Sequence, residues 1–462
     1  MNQSEFFDSL RSVSDIYSFI VMLFAYIDDD PTKIRSEYCK AINGNPVSTL
    51  NSVGALVKDL RCIGLTGDPE LQNWITSWGQ IFDSASMAEK TFCYITLLEI
   101  DKIINELKSN KKILEKRGPF GLKGEYAFYF KKPAKYFFSS LFEQQNIRRT
   151  RQTVECAVNS LNQDFNYFEV VKKSQLHDYY PIVYEYNKPN LLSPEFCVGL
   201  IPFHMHQWFE TLLDHESKIF TITYNQEGAT THNNNIKALL QACDDRDVNV
   251  AILPEIVMNS TSKDEIIALL KNSNFKNLKL CFSGSMWHNN TNESFLISGQ
   301  GTQLLSHKKK VPYIMYNKQY QQKYTEFITK TNEVIFLDIE GVGRIVYLIC
   351  ADINDQDLNT IYSVMHADFV FVSAFTSSME MMLKTAEYNA TARGVTTVLC
   401  NSCAAQELNN SSIEIGYVVC PQAQDSQITA QIFPFNHCEP HLKCTSCIRK
   451  ISISNDGCCK II

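Results

Sequence analysis

Three reactive side chains each follow, or lie beside, an apolar run of the kind that forms a buried strand. They are a carboxylate in Val250-Ala251-Ile252-Leu253-Pro254-Glu255, an amine in His307-Lys308-Lys309-Lys310-Val311-Pro312, and a thiol in Arg344-Ile345-Val346-Tyr347-Leu348-Ile349-Cys350-Ala351-Asp352. A rigid sheet holds such groups against one another. A partly desolvated carboxylate can serve as a general base, a basic cluster can offset developing negative charge, and a reduced thiol can be reactive. Each has a plainer reading when taken alone. A cysteine ending an apolar strand is commonly inert packing, a glutamate after a strand can open a helix, and adjacent lysines usually form a solvated turn.

The elements that must position these groups lie in the second half of the chain, where short β-rich runs alternate with helical spacing. Strands are expected over 218–224, 248–253, 278–283, 368–374 and 395–400, hairpins over 295–307 and 334–350, and late strands near 416–420 and 449–454. The 3.6-residue spacing predicts helices over 234–243, 264–270 and 379–393. If 306–310 is extended, Lys309 faces opposite to Lys308 and Lys310, since side chains alternate along a strand.

In this order, Pro-Glu after an apolar strand, lysine within His-X-Lys-X-X-Pro, and Ile-Cys-X-Asp after a second apolar strand resemble the three catalytic motifs of the carbon–nitrogen hydrolase (nitrilase/amidase) superfamily. Ala367-Asp368-Phe369-Val370-Phe371-Val372, and Ala392-Arg393-Gly394 followed by Val398-Leu399-Cys400-Asn401, are similar to later elements of that family. The resemblance covers about 218–421. It implies an α/β fold, an αββα sandwich, that hydrolyses a non-peptide amide or nitrile bond through an acyl-cysteine. It also implies Cys350 as nucleophile, Glu255 as general base, Lys309 with the Ala351 backbone N–H as oxyanion stabilisers, and no metal or organic cofactor. Glu326 is the candidate for the family's second glutamate. Because 312–324 reads as an insertion against the family pattern, a surface charge is the other reading of Glu326.

The chain of 462 residues is long enough for two domains, a mainly helical one over 1–200 and the hydrolase-like one over 201–462. Prolines 181, 189, 194 and 202 suggest an irregular connection between them. The 16 cysteines show no short repeating framework, the first residues carry no basic leader, and the apolar run 19–27 is too short to span a bilayer. The expectation is a cytoplasmic protein with reduced thiols, no membrane partner, a small-molecule substrate and a homo-oligomeric state.

Net charge is −7, but residues 108–151 hold 12 Lys/Arg against 3 Asp/Glu. Tyr126, Phe128, Tyr129, Phe130, Tyr136, Phe137 and Phe138 lie among or beside those cations, as a surface for stacking on nucleic acid would require. Core aromatics with snorkelling lysines give the same pattern. The alternative function, with the resemblance kept for the fold alone, is a nitrilase-fold regulatory or defence module that acts as a scaffold or partner-binding subunit and contacts nucleic acid through this basic segment. In the tail, His437, Cys438, His441, Cys444, Cys447, Cys458 and Cys459 crowd together, and Cys444 and Cys447 have zinc-ligand spacing without a second such pair. His204 and His206 share a face if their stretch is a strand, an incomplete metal site at best.

Overall fold

The computed structural model describes residues 3–10, 12–43, 47–63, 69–85, 87–104, 113–123, 125–131, 161–188, 191–193, 195–204, 208–340, 342–406, 414–424, 427–435, 448–453 and 459–461. These form two compact units, one from Met1–Lys135, Glu143–His177 and Pro181–Asn187, the other from Asp178–Tyr180 and Lys188–Ile462.

In the first unit the apolar run becomes the helix Ile16–Ile27, capped by Asp15, whose Oδ1 accepts the Ser18 N–H at 2.8 Å. Nearly all its faces are buried, because the helices Val47–Ile63, Pro69–Ser84 and Glu89–Ile104 share its core. No helix among the described residues is long and apolar enough to cross a membrane. The Gly/Pro-rich interruption forms the strands Leu114–Gly118, Phe120–Lys123 and Tyr126–Phe130, the last pairing antiparallel with Phe168–Lys172. Phe128, Tyr129 and Phe130 are buried, with Phe128 stacked on Phe168 at 5.5 Å. Their faces are closed to a nucleic-acid base, which corrects the stacking expectation for these rings. Tyr136, Phe137, Phe138 and the cations over 132–151 lie outside the described residues.

The second unit is built on two sheets. One has the order Gln303–Lys308, Thr291–Ser298, Leu280–His288, Val250–Ile252, Phe196–Leu200, Arg449–Ile453, Cys459–Ile461. In the other, Glu333–Ile339, Gly343–Ile349, Phe369–Ala374, Thr396–Asn401, Gly416–Gln424 and Gln427–Phe435 are neighbours in that order. Gly343–Ile349, Phe369–Ala374 and Thr396–Asn401 are mutually parallel and buried along their whole length, hence their unbroken apolar texture. The two sheets meet through Phe282, stacked on Tyr347 at 5.0 Å and edge-on to Phe371 at 5.1 Å. Helices Ala229–Asp245 and Ser260–Asn272 cover the outer face of the first sheet through Ile236, Leu239, Leu240, Ile266 and Leu270. Glu380–Arg393 packs on the second sheet. The layers therefore run αββα.

Residues 181–202, expected as an irregular connection, contain the strands Tyr180–Tyr186 and Phe196–Leu200. The apparent insertion at 312–324 becomes a hairpin, Ile314–Asn317 against Gln322–Glu326. That hairpin joins Ile219–Tyr224 and Phe209–Asp214 in a small sheet with its own core of Phe220, Ile222, Ile256 and Tyr324.

Candidate active site

Glu255 stands three residues beyond the strand Val250–Ile252, on a turn that the neighbouring strand is shaped to receive. Leu280–His288 bulges between Phe282 and Ser285, and there Ser285 donates its N–H to Pro254 O at 3.3 Å while its Oγ accepts the Ile256 N–H at 3.0 Å. Gly284 allows this approach, since a Cβ on it would lie 2.2 Å from Pro254 O. Ile256 itself is held at φ 58°, a conformation unfavourable for a β-branched residue.

Cys350 follows the strand Gly343–Ile349 directly and opens a short 3₁₀ turn, Cys350–Asn354. Its φ is 49°, a left-handed strain of roughly 1–3 kcal/mol for a residue with a Cβ. Beside it, the chain leaving Phe369–Ala374 brings the Phe375 N–H to Glu255 Oε2 at 3.1 Å and toward the Cys350 thiol. The thiol lies beside the Glu255 carboxylate, close enough for each to shift the other's proton affinity. Asn401, at the end of Thr396–Asn401, fixes this loop by accepting the Thr376 N–H at 3.0 Å and donating to Thr376 O at 2.9 Å.

Lys309 completes the cluster. Its Nζ donates to Glu255 Oε1 at 2.8 Å and to Glu326 Oε2 at 2.6 Å, and Glu326 Oε2 also accepts the Tyr313 N–H at 3.0 Å. Cys350, Glu255 and Lys309 are each 2% exposed and Glu326 4%. Glu326 is thus no surface charge. The hairpin that lengthens the chain before it returns the residue to the lysine.

Asn292, which sequence reasoning missed, donates through Nδ2 to Glu255 Oε1 at 2.8 Å and Glu326 Oε1 at 3.2 Å. Its only signal is a polar side chain just after a turn, beside the hairpin expected from residue 295 onward. Asp352 joins the two loops, its Oδ1 accepting the Lys310 and Val311 N–H at 2.9 and 2.8 Å and its Oδ2 the Ile349 N–H at 3.3 Å.

Burial raises the Glu255 carboxyl above the usual carboxylate range, with the Lys309 charge opposing and Glu326 adding to the rise. Burial alone would depress Lys309, but the two glutamates overcome it and hold its ammonium well above ordinary lysine. Burial, aided by the Glu255 charge and opposed by Lys309, pushes the Cys350 thiol well up. The resting cluster is a neutral thiol beside a carboxylate whose affinity for its proton is enhanced.

The lysine run departs from expectation. The strand stops at Lys308, so alternation does not reach Lys310, and both Lys309 and Lys310 point inward while Lys308 is exposed. Burial drives Lys310 down to about 8, and His307, 3.5 Å from Asp352 Oδ2, falls to about 4 for the same reason. A lysine depressed on folding binds fewer protons than in the unfolded chain between about pH 8 and 10.5, so this destabilisation is full below pH 8 and relieved as pH rises. Lys310→Met should therefore stabilise the protein at pH 7, by up to about 3 kcal/mol. It should also flatten the rise in stability between pH 8 and 10, as urea melts at the two pH values would show.

His204 is buried, with Nε2 3.3 Å from Ile256 O and its ring against Phe209 and Phe375. His206 and all the tail candidates except Cys459 lie outside the described residues, among which no cluster of three or more metal-ligating side chains occurs. Cys400 is buried in its strand and burial pushes its thiol up.

No protein-family model and no curated protein matches this sequence. Among solved structures, the chain is similar to Saccharomyces cerevisiae Nit3, a member of branch 10 of the nitrilase superfamily. Identity is 14% and the TM-score 0.35, over 54% of this chain and 92% of that one. It is also similar to the glutamine-dependent NAD+ synthetase of Acinetobacter baumannii, at 16% identity and a TM-score of 0.38, over 58% of this chain and 47% of that one. A third is an amidase from Nesterenkonia sp. AN1, solved with the acetamide moiety of fluoroacetamide on its active-site cysteine. There identity is 10% and the TM-score 0.36, over 52% of this chain and 90% of that one.

Proposed function

We propose that the second unit hydrolyses a non-peptide carbon–nitrogen bond, an amide or nitrile of a small molecule, through a covalent acyl-cysteine. The observation that carries this reading is the buried arrangement of Lys309 between Glu255 and Glu326, with the Cys350 thiol beside Glu255. Structural ion pairs do not ordinarily hold a thiol against a carboxylate at a strained residue, whereas a nucleophile and its base require that contact.

For an amide, Cys350 Sγ attacks the carbonyl carbon while Glu255 takes the thiol proton. An ammonium has three N–H groups, and Lys309 commits one to each glutamate. The third, with the Ala351 N–H next to the nucleophile, is available to the oxyanion. Collapse of the tetrahedral adduct breaks the C–N bond, and Glu255 passes its proton to the departing amine. A water then attacks the thioester as Glu255 removes its proton, and the acid leaves with the thiol restored. A nucleophile only 2% exposed admits a slender acyl group more readily than a folded peptide.

Alkylation by 2-chloroacetamide, a small amide electrophile, tests the pairing. At pH 7 Cys350 should be modified faster than the exposed Cys39 and Cys62, whose thiols lack a base, and Glu255→Gln should remove that advantage. Equal labelling of Cys350 in the wild type and Glu255→Gln would refute Glu255 as its base.

A further inference from the structure

Two carboxylates around one lysine leave the buried cluster with a net negative charge, and carboxylates sharing a site relieve it by holding a proton on one of them. A proton resting on Glu255 would disable it as a base. Besides Lys309, a second side chain meets both carboxylates, that of Asn292. Beyond its Nδ2 contacts with Glu255 Oε1 and Glu326 Oε1, its backbone carbonyl accepts the Lys309 N–H at 2.8 Å. It is 1% exposed, on the strand Thr291–Ser298 two residues after the tight turn at 289–290.

We propose that Asn292 is a positioning residue that, by donating to Glu255 and Glu326 together, holds Glu255 as a carboxylate, and so keeps it open to the proton of Cys350. The proposal rests on the reading of Cys350 and Glu255 as nucleophile and base. An amide is suited to this task because it donates to each carboxylate without adding charge. Lys309 cannot do it alone, since its contacts with the pair leave Glu255 Oε1 and Glu326 Oε1 each needing a further donor in a site shielded from bulk solvent. The other ionisable groups facing Glu255 are Lys309, Glu326, Cys350, Tyr224 and Tyr313, and of these only Lys309 is a cation.

The test is the pH profile of Cys350 alkylation by 2-chloroacetamide, read by peptide mass in the full-length protein. Alkylation falls on the acid side as Glu255 takes up its proton. Asn292→Leu keeps the branched outline of the side chain, with added bulk, but donates nothing, so the acid limb should move up by roughly one to two pH units. At pH values on the acid limb the rate would then drop about 10- to 100-fold, and it would converge with wild type at high pH. Asn292→Asp, which adds negative charge, should move the limb at least as far. If the leucine variant does not fold, Asn292→Ser, too short to reach either carboxylate, is read in the same way. A uniform fall at every pH, or an unmoved limb, would overturn the proposal. If Glu255→Gln leaves wild-type alkylation intact, it is the functional reading that fails.

Discussion

Cys350→Ala abolishes turnover of any amide the protein hydrolyses, because it removes the atom that forms the acyl bond, while the fold survives. Only the sulfur is lost from a buried site, so the melting temperature should fall by a few degrees at most. Cys350→Gly adds a contrast that a purely structural cysteine would not show. At φ 49° an alanine retains the Cβ clash that glycine releases, so the equally inactive glycine variant should be the more stable of the two, by roughly 1 kcal/mol. Urea melts of the two variants decide this. Equal or lower stability of the glycine variant would mean that the strain at Cys350 is not what holds the nucleophile in place.

Lys309→Met has the second largest expected effect. Loss of an oxyanion donor typically lowers turnover about 100- to 1,000-fold. The variant also strands Glu255 and Glu326 without their cation, and removing one member of a buried ion pair destabilises by about 3–5 kcal/mol. The two consequences can be separated. Without the lysine, whose charge opposes the effect of burial on Glu255, that carboxyl holds its proton to higher pH in the folded than in the unfolded state, so stability should decline as pH rises from about 4.5. Adding Glu326→Gln to Lys309→Met should restore much of the stability and none of the turnover. Recovery of activity in the double variant would remove Lys309 from the chemistry.

The positions of Cys350 and Glu255 were legible because each follows an apolar run, and a strand buried on both faces leaves a continuous hydrophobic signature, whereas Lys309, after the mixed strand Gln303–Lys308, was legible only through its His-X-Lys-X-X-Pro spacing. The alternation of such strands with helical spacing likewise made the layered α/β architecture readable. What escaped depends on contacts distant in sequence. Asn292 is an ordinary polar residue until the hairpin lays it beside Glu255 and Glu326, 37 and 34 positions away. Lys310 reads as a solvated charge because nothing local marks the end of the strand at Lys308 or the carboxylate of Asp352 that draws the following loop inward. Edge and small-sheet strands such as Phe209–Asp214 and Gln427–Phe435 carry mixed polar and apolar residues, too weak a pattern to separate from loop.

The thioester itself tests the central claim most directly. Full-length protein mixed with a panel of small amides and quenched in acid should show, by intact mass, a shift equal to one acyl group. Peptide mapping should place that group on Cys350, and Cys350→Ala should show no shift. Turnover with no adduct in the wild type, or an acyl group on any other residue, would contradict the account.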